Sequence, residues 1–223
     1  MINTIEQELV AIRRAVLSMG ASTEVRVNSA LDAFLNHNET LARTVRAGDT
    51  EIDEMELSLE SECVKLLALQ QPVARDLRVI LAVMRINTTL ERMADLARSV
   101  AKRTIKLAKV PAVDYPDDAH AMCNAVRRMV SDVIKAFADN DRSLADRVRS
   151  ADKYVDERNR ELFAWAARQS ASDSDNAIAY IHALVAIRAI ERIGDLAANI
   201  AEEILFALDG DVVRHQSMPG ESS

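Results

Sequence analysis

The chain has 223 residues, of which 49% are hydrophobic, 28% charged and 4% aromatic, and its formal net charge is −7. This ordinary soluble composition excludes wholesale disorder, a chain of this length can bury about 70% of its unfolded surface, and five glycines and four prolines exclude collagen-like and loop-rich β folds. The acidic balance argues against a nucleic-acid binder, which usually carries a basic excess. No apolar run approaches the ~20 residues of a membrane span, and residues 1–14 carry polar and charged residues from the start and lack the apolar core of a signal peptide. A cytoplasmic protein is expected, meeting the membrane only through partners.

In chain order, proline and glycine punctuation with helical periodicity predicts helices over about 4–46, 49–70, 73–109, 117–149, 152–169 and 175–208. The first should break near Asn36-His37-Asn38 and the fourth near Asp139-Asn140-Asp141, with Asn38 and Asp141 as N-caps of the continuations. In the second segment Ile52, Met55, Leu59, Cys63 and Leu66 share one face. In the third, Val79, Val83, Ile86, Leu90, Met93, Ala97 and Val100 form the apolar stripe of an amphipathic helix. Pro111 and Pro116 mark a linker. Residues 210–223 are Gly-, Pro- and Ser-containing and polar, and read as a flexible tail. No alternating strand pattern stands out.

The chain repeats itself. At a shift of 103, Leu41, Ala42, Val45 and Arg46 meet Leu144, Ala145, Val148 and Arg149, and Asp49 and Asp53 meet Asp152 and Asp156. At a shift of 100, Glu91-Arg92 meets Glu191-Arg192, and Asp95-Leu96-Ala97 meets Asp195-Leu196-Ala197. One short deletion between the second and third helix of each half reconciles the shifts. The expected fold is all-α, a tandem repeat of two antiparallel three-helix bundles over 1–113 and 114–209.

The matched positions are largely acidic. Asp49/Asp53, Glu91/Asp95, Asp152/Asp156 and Glu191/Asp195 are all spaced i, i+4, one turn apart on one helix face, where like charges cost a few tenths of a kcal/mol, on the order of 0.2–0.5. Four equivalent pairs require a compensating partner. Clustered carboxylates suit hard cations. Arg46, Arg92, Arg149 and Arg192 recur beside them and could pair with them instead, making a register-fixing salt-bridge network. Asp49 and Asp152 could serve merely as N-caps. Helical phase places Asp95 away from the core stripe, so the carboxylates are expected at the surface or in a groove. Counterparts of Glu56 and Glu60 are Asn159 and Phe163, so the first half offers more oxygen ligands and the two sites should be unequal.

Other chemistry is thin. Cys63 and Cys123 lie in apolar runs and read as buried, inert thiols. The four histidines are scattered, with no H-E-x-x-H, Walker A or G-x-G-x-x-G motif and nothing resembling a triad. Trp165 and Phe163 read as core or dimer contacts, His182 as a core or interface histidine. Gly194, inside a helix with Ala94 as its counterpart, points to close backbone approach.

Several of these stretches resemble one family. Leu69-Gln70-Gln71-Pro72-Val73-Ala74 with Asp76-Leu77-Arg78, Glu91-Arg92-Met93-Ala94-Asp95, Glu191-Arg192-Ile193-Gly194-Asp195, Asn199-Ile200-Ala201-Glu202-Glu203, Met19-Gly20 and Gly210-Asp211-Val212-Val213-Arg214-His215 resemble PhoU proteins over about residues 5–215. The resemblance implies a non-enzymatic, homodimeric negative regulator of phosphate uptake. It would act as an adaptor between the phosphate ABC transporter ATPase and its sensor histidine kinase. It also implies carboxylate clusters able to hold iron or another divalent metal (manganese, magnesium or zinc), through Asp49, Asp53, Glu91 and Asp95 in one half and Asp152, Asp156, Glu191 and Asp195 in the other. Arg92 and Arg192 would pair with the carboxylates or touch a partner. The family's histidine after the motif aspartate is here Leu96 and Leu196, which implies weaker metal affinity. The competing expectations are a multinuclear metal enzyme with oxidase or hydrolase activity and a purely structural helical scaffold.

Overall fold

The structure, a computed structural model, describes residues 4–48 and 50–209. Asp49 and the expected tail 210–223 lie outside the described residues. The helices are α1 (Thr4–Leu35), α2 (Glu39–Ala47), α3 (Thr50–Gln70), α4 (Ala74–Leu107), α5 (Asp117–Asp139), α6 (Arg142–Ser172) and α7 (Ala177–Asp209), the last entered through a 3₁₀ turn at Ser174–Asn176. Among the described residues there is no strand.

The repeat extends to the backbone. His37 (φ 51°) and Asn140 (φ 53°), related by the shift of 103, both adopt the left-handed conformation that ends a helix. The next residue in each half closes the corner twice. Asn38 N–H donates to Ala33 O (2.9 Å) and Asp141 N–H to Ala136 O (3.0 Å). Each side chain then accepts from the following helix, Asn38 Oδ1 from Leu41 N–H and Asp141 Oδ1 from Leu144 N–H, both at 3.0 Å. The two expected caps are thus in place, each satisfying an amide that a helix start leaves orphaned.

One expectation is corrected. The sequence pattern predicts a break near residues 149–152, but α6 runs unbroken through them. Gly48 ends α2 with φ −88° and ψ 29°, while its counterpart Ala151 is the best helix former and continues. Asp152 is therefore mid-helix and not an N-cap.

Helices α1–α3 pack on α4, and α5 and α6 pack on α7; α4 and α7 form the largest contact and join the halves. They run antiparallel. Arg85, early in α4, bonds Glu203, late in α7, at 3.0 Å, while Arg103 and Lys106, late in α4, lie close enough to His182, early in α7, to hold its pKa below the usual histidine value together with the larger effect of burial. The core spans both halves: Met19, Leu31, Phe34, Leu90 and Met93 in one, Met122, Leu162, Ile187 and Ile193 in the other are almost wholly buried. Each such side chain contributes roughly 1.5–3 kcal/mol. A Cβ on Gly194 would stand 3.4 Å from Val155 Cγ1 and 3.7 Å from Met129 Sδ, ordinary contact distances, so α7 packs on α5 and α6 there with room for a methyl group.

The linker is pinned. His37 Nε2 donates to Val113 O at 3.0 Å, and Tyr115 stacks on His37 with ring centres 4.9 Å apart and meets Phe34 in a tilted contact at 4.5 Å. Trp165 continues this aromatic row to Tyr180. Phe163, by contrast, is 60% exposed and is not core. Cys63 and Cys123 are buried free thiols, pushed up to about 11 and about 12 chiefly by burial, as inert thiols should be.

Candidate functional site

In the second half, α6 presents Asp152, Asp156 and Asn159, and α7 presents Glu191 and Asp195. Turns i and i+4 stack on each helix face, and the packing of α6 on α7 brings the two faces together. One carboxylate oxygen from each of Asp156, Glu191 and Asp195 lies within 4.8 Å of the others. Glu191 is only 6% exposed. Its Oε1 accepts from Asn159 Nδ2 (3.3 Å) and Arg188 Nη1 (3.1 Å), while Oε2 is buried and takes no hydrogen bond; Oδ1 of Asp152 is in the same condition.

The electrostatics match this crowding. Burial first, then Asp195, Asp156 and Glu202, push the Asp152 carboxyl up to about 6. Glu191 is raised by burial and by Asp195, Asp156 and Asp152, partly opposed by Arg188. Asp195 is raised by burial and by Asp156, with Arg188 and Arg192 opposing. Such a set resists full ionisation unless a cation joins it.

The first half is looser. Burial, Asp95, Glu56 and Asp53 raise Glu91, with Arg92 opposing, so the equivalent carboxylates are neighbours. Asp95 Oδ1, however, accepts from Arg98 Nη2 at 2.6 Å. Asp53 is exposed, and Asp49 is not among the described residues. Among those residues the trio Asp156, Glu191 and Asp195 is the set whose oxygens converge. The greater number of acids in the first half does not translate into convergence.

One further expectation changes in part. Asp95 and Asp195 line a groove as expected, but α7 is packed by α4, α5 and α6 and carries Glu191 into the interior. The recurring Arg92 and Arg192 act on the acids through space, opposing the upward shift of Glu91 and of Asp195 respectively, and line a groove of about 380 Å³ at the α4–α7 seam with Asp95, Asp195, Leu96, Leu196 and Asn199. Arg149 pairs with Asp146 at 3.3 Å. Direct bonds to Asp95 and Glu191 come from Arg98 and Arg188, which are not repeat partners of each other. Sequence reasoning missed Arg98, Arg188 and the contact of Asn159 with Glu191. The i+3 spacing of Asp95 to Arg98 and of Arg188 to Glu191 was the available signal.

The chain matches the PhoU domain model over residues 16–104 and 120–204. It is 34% identical over 213 residues to the phosphate-specific transport system accessory protein PhoU homolog of Pseudomonas putida, spanning 95% of this chain and 83% of that protein. The homolog of Caulobacter vibrioides is 33% identical, spanning 94% and 92%. The crystal structure of PhoU from Pseudomonas aeruginosa superposes with a TM-score of 0.89 at 33% identity, covering 93% of this chain and all of that one. The phosphate transport system regulatory protein PhoU from Streptococcus pneumoniae, 24% identical, shares the fold with a TM-score of 0.83.

Proposed function

Because the chain belongs to the PhoU family, we propose that it is a negative regulator of phosphate uptake and of phosphate-responsive signalling, an adaptor between the phosphate ABC transporter ATPase and its sensor histidine kinase. The observation that carries this is the similarity over nearly the whole chain to proteins named as accessory to phosphate-specific transport. Two features agree with it. No helix among the described residues is long and apolar enough to cross a membrane, so contact with a membrane transporter falls to protein–protein docking. The described residues form a helical scaffold with charged grooves, and the proposal is of a non-enzymatic, cytoplasmic protein working as a homodimer.

A second element of the proposal concerns the carboxylates. Asp152, Asp156, Glu191 and Asp195 would hold a divalent metal, iron, manganese, magnesium or zinc, which would add positive charge to a set of acids that Arg188 and Arg192 only partly offset. The buried, unbonded Oε2 of Glu191 and Oδ1 of Asp152 fit such a group, because buried polar atoms without partners are costly. Asp49, Asp53, Glu91 and Asp95 are the equivalent set in the first half.

The deciding experiment is capture of the ATPase and the kinase on the tagged full-length protein at high and low phosphate, with reporter expression in a deletion strain. Phosphate-dependent capture and derepression at high phosphate are expected. No capture of either partner, together with unchanged expression, refutes the adaptor reading.

A further inference from the structure

The two acidic clusters are repeat equivalents, but one substitution between the halves sets them apart. At the shift of 100, Arg98 of α4 corresponds to Ala198 of α7. Arg98 Nη2 stands 2.6 Å from Asp95 Oδ1, a charge-assisted bond that already sets a cation against this carboxylate. Ala198 is a buried methyl and offers Asp195 nothing. We infer that the chain takes up a divalent cation in its second half alone, at Asp156, Glu191 and Asp195 with Asp152 beside them, and that Arg98 is a built-in counter-ion that closes the first half.

The inference rests on the metal-binding part of the proposal above and asks which half carries it. Three like-for-like comparisons support it, all between described residues. The oxygens of Asp156, Glu191 and Asp195 converge within 4.8 Å, about two metal–oxygen bond lengths, whereas Asp53, Glu91 and Asp95 form no such set. Glu191 is 94% buried, being 6% exposed, with an unbonded oxygen; Glu91 is half-buried and has no buried oxygen left unbonded. Finally, the cation near Glu191 does not close its site. Arg188 is 66% exposed and bonds Oε1, the oxygen already held by Asn159, and so orients the carboxylate while leaving Oε2 for a ligand.

The test is manganese(II) titration of the chelator-stripped full-length protein, reading free ion by electron paramagnetic resonance and heat by calorimetry. Glu191→Gln should abolish tight uptake and Glu91→Gln should leave it unchanged. Arg98→Ala should add a second class of sites, with affinity at least tenfold above the wild-type first half, and Glu91→Gln placed on top of it should remove that class. Asp95→Asn and Asp195→Asn, which keep the side-chain shape, repeat the comparison without altering Arg98. If Glu91→Gln and Glu191→Gln each remove part of the uptake, both halves load and the inference falls while metal binding stands. If the wild type takes up no manganese, metal binding and the inference fall together. If Arg98→Ala adds nothing, Arg98 is not the closing group.

Discussion

Asp152→Asn gives the sharpest check on the second-half cluster. The carboxyl has an ordinary value of 3.8 and is pushed to about 6 in the folded chain, so the native state holds this proton more tightly than the unfolded chain does. Linkage then makes stability fall as pH rises between these two values, with the full penalty above about pH 6 and none below about pH 4. The gap corresponds to about 3 kcal/mol at about 1.36 kcal/mol per pH unit. Because the side chain is half-exposed, solvent screening reduces this to about 1–2 kcal/mol. Asp152→Asn removes the charge and keeps the shape. In chelator at pH 8 it should therefore raise stability by about 1–2 kcal/mol, or roughly 2–8 °C in Tm for a chain of this size. At pH 4 the two proteins should melt together. Calorimetry at the two pH values decides it: a variant less stable than wild type at pH 8, or a difference that does not change with pH, refutes the account of crowded, uncompensated carboxylates.

Three further outcomes follow from the packing. Asn38→Ala and Asp141→Ala each remove an equivalent cap and should each cost about 1 kcal/mol in chemical denaturation, adding when combined because the corners are separate. Tyr115→Phe deletes a hydroxyl that is buried without a hydrogen bond, so the variant should be neutral or up to about 1 kcal/mol more stable by thermal melting. Gly194→Ala places a Cβ at 3.4 Å from Val155 Cγ1, an ordinary contact, so the helix-propensity gain of about 1 kcal/mol should prevail and the melting temperature should rise.

What the sequence discloses here depends on whether a feature is local. The breaks near residues 36–38 and 139–141, the caps at Asn38 and Asp141 and the stripe on α4 are set by residues within a few positions, and they were legible. The continuity of α6 was not, because aligning the halves carried a break from the first onto the second; reading Gly48 against Ala151 would have corrected it. The burial of Glu191 was hidden for a different reason. It depends on α7 being enclosed by three helices, and only the near-continuous small and apolar surface of α7, with Ala183, Ala186, Ile187, Ala189, Ile190, Ala197 and Ala198 all buried, hints at that. Which arginine meets which carboxylate required the rotamers of Arg98 and Arg188, since Asp95 has Arg92 three residues before it and Arg98 three after it, and no spacing rule chooses between them.

The antiparallel contact of α4 with α7 has the form of an interface between two subunits, but both sides belong to one chain. A linker of a few residues holds two such modules at millimolar effective concentration, on the order of 1 mM or more, so the pair never separates at cellular dilution and always occurs one to one. Two separate copies of a bundle must carry the same residues on both sides of their joint. Two bundles on one chain are free of that constraint, and each can change its chemistry while the other keeps its own. An arginine on one side and an alanine at the matching place on the other is a difference that only a fused pair can inherit.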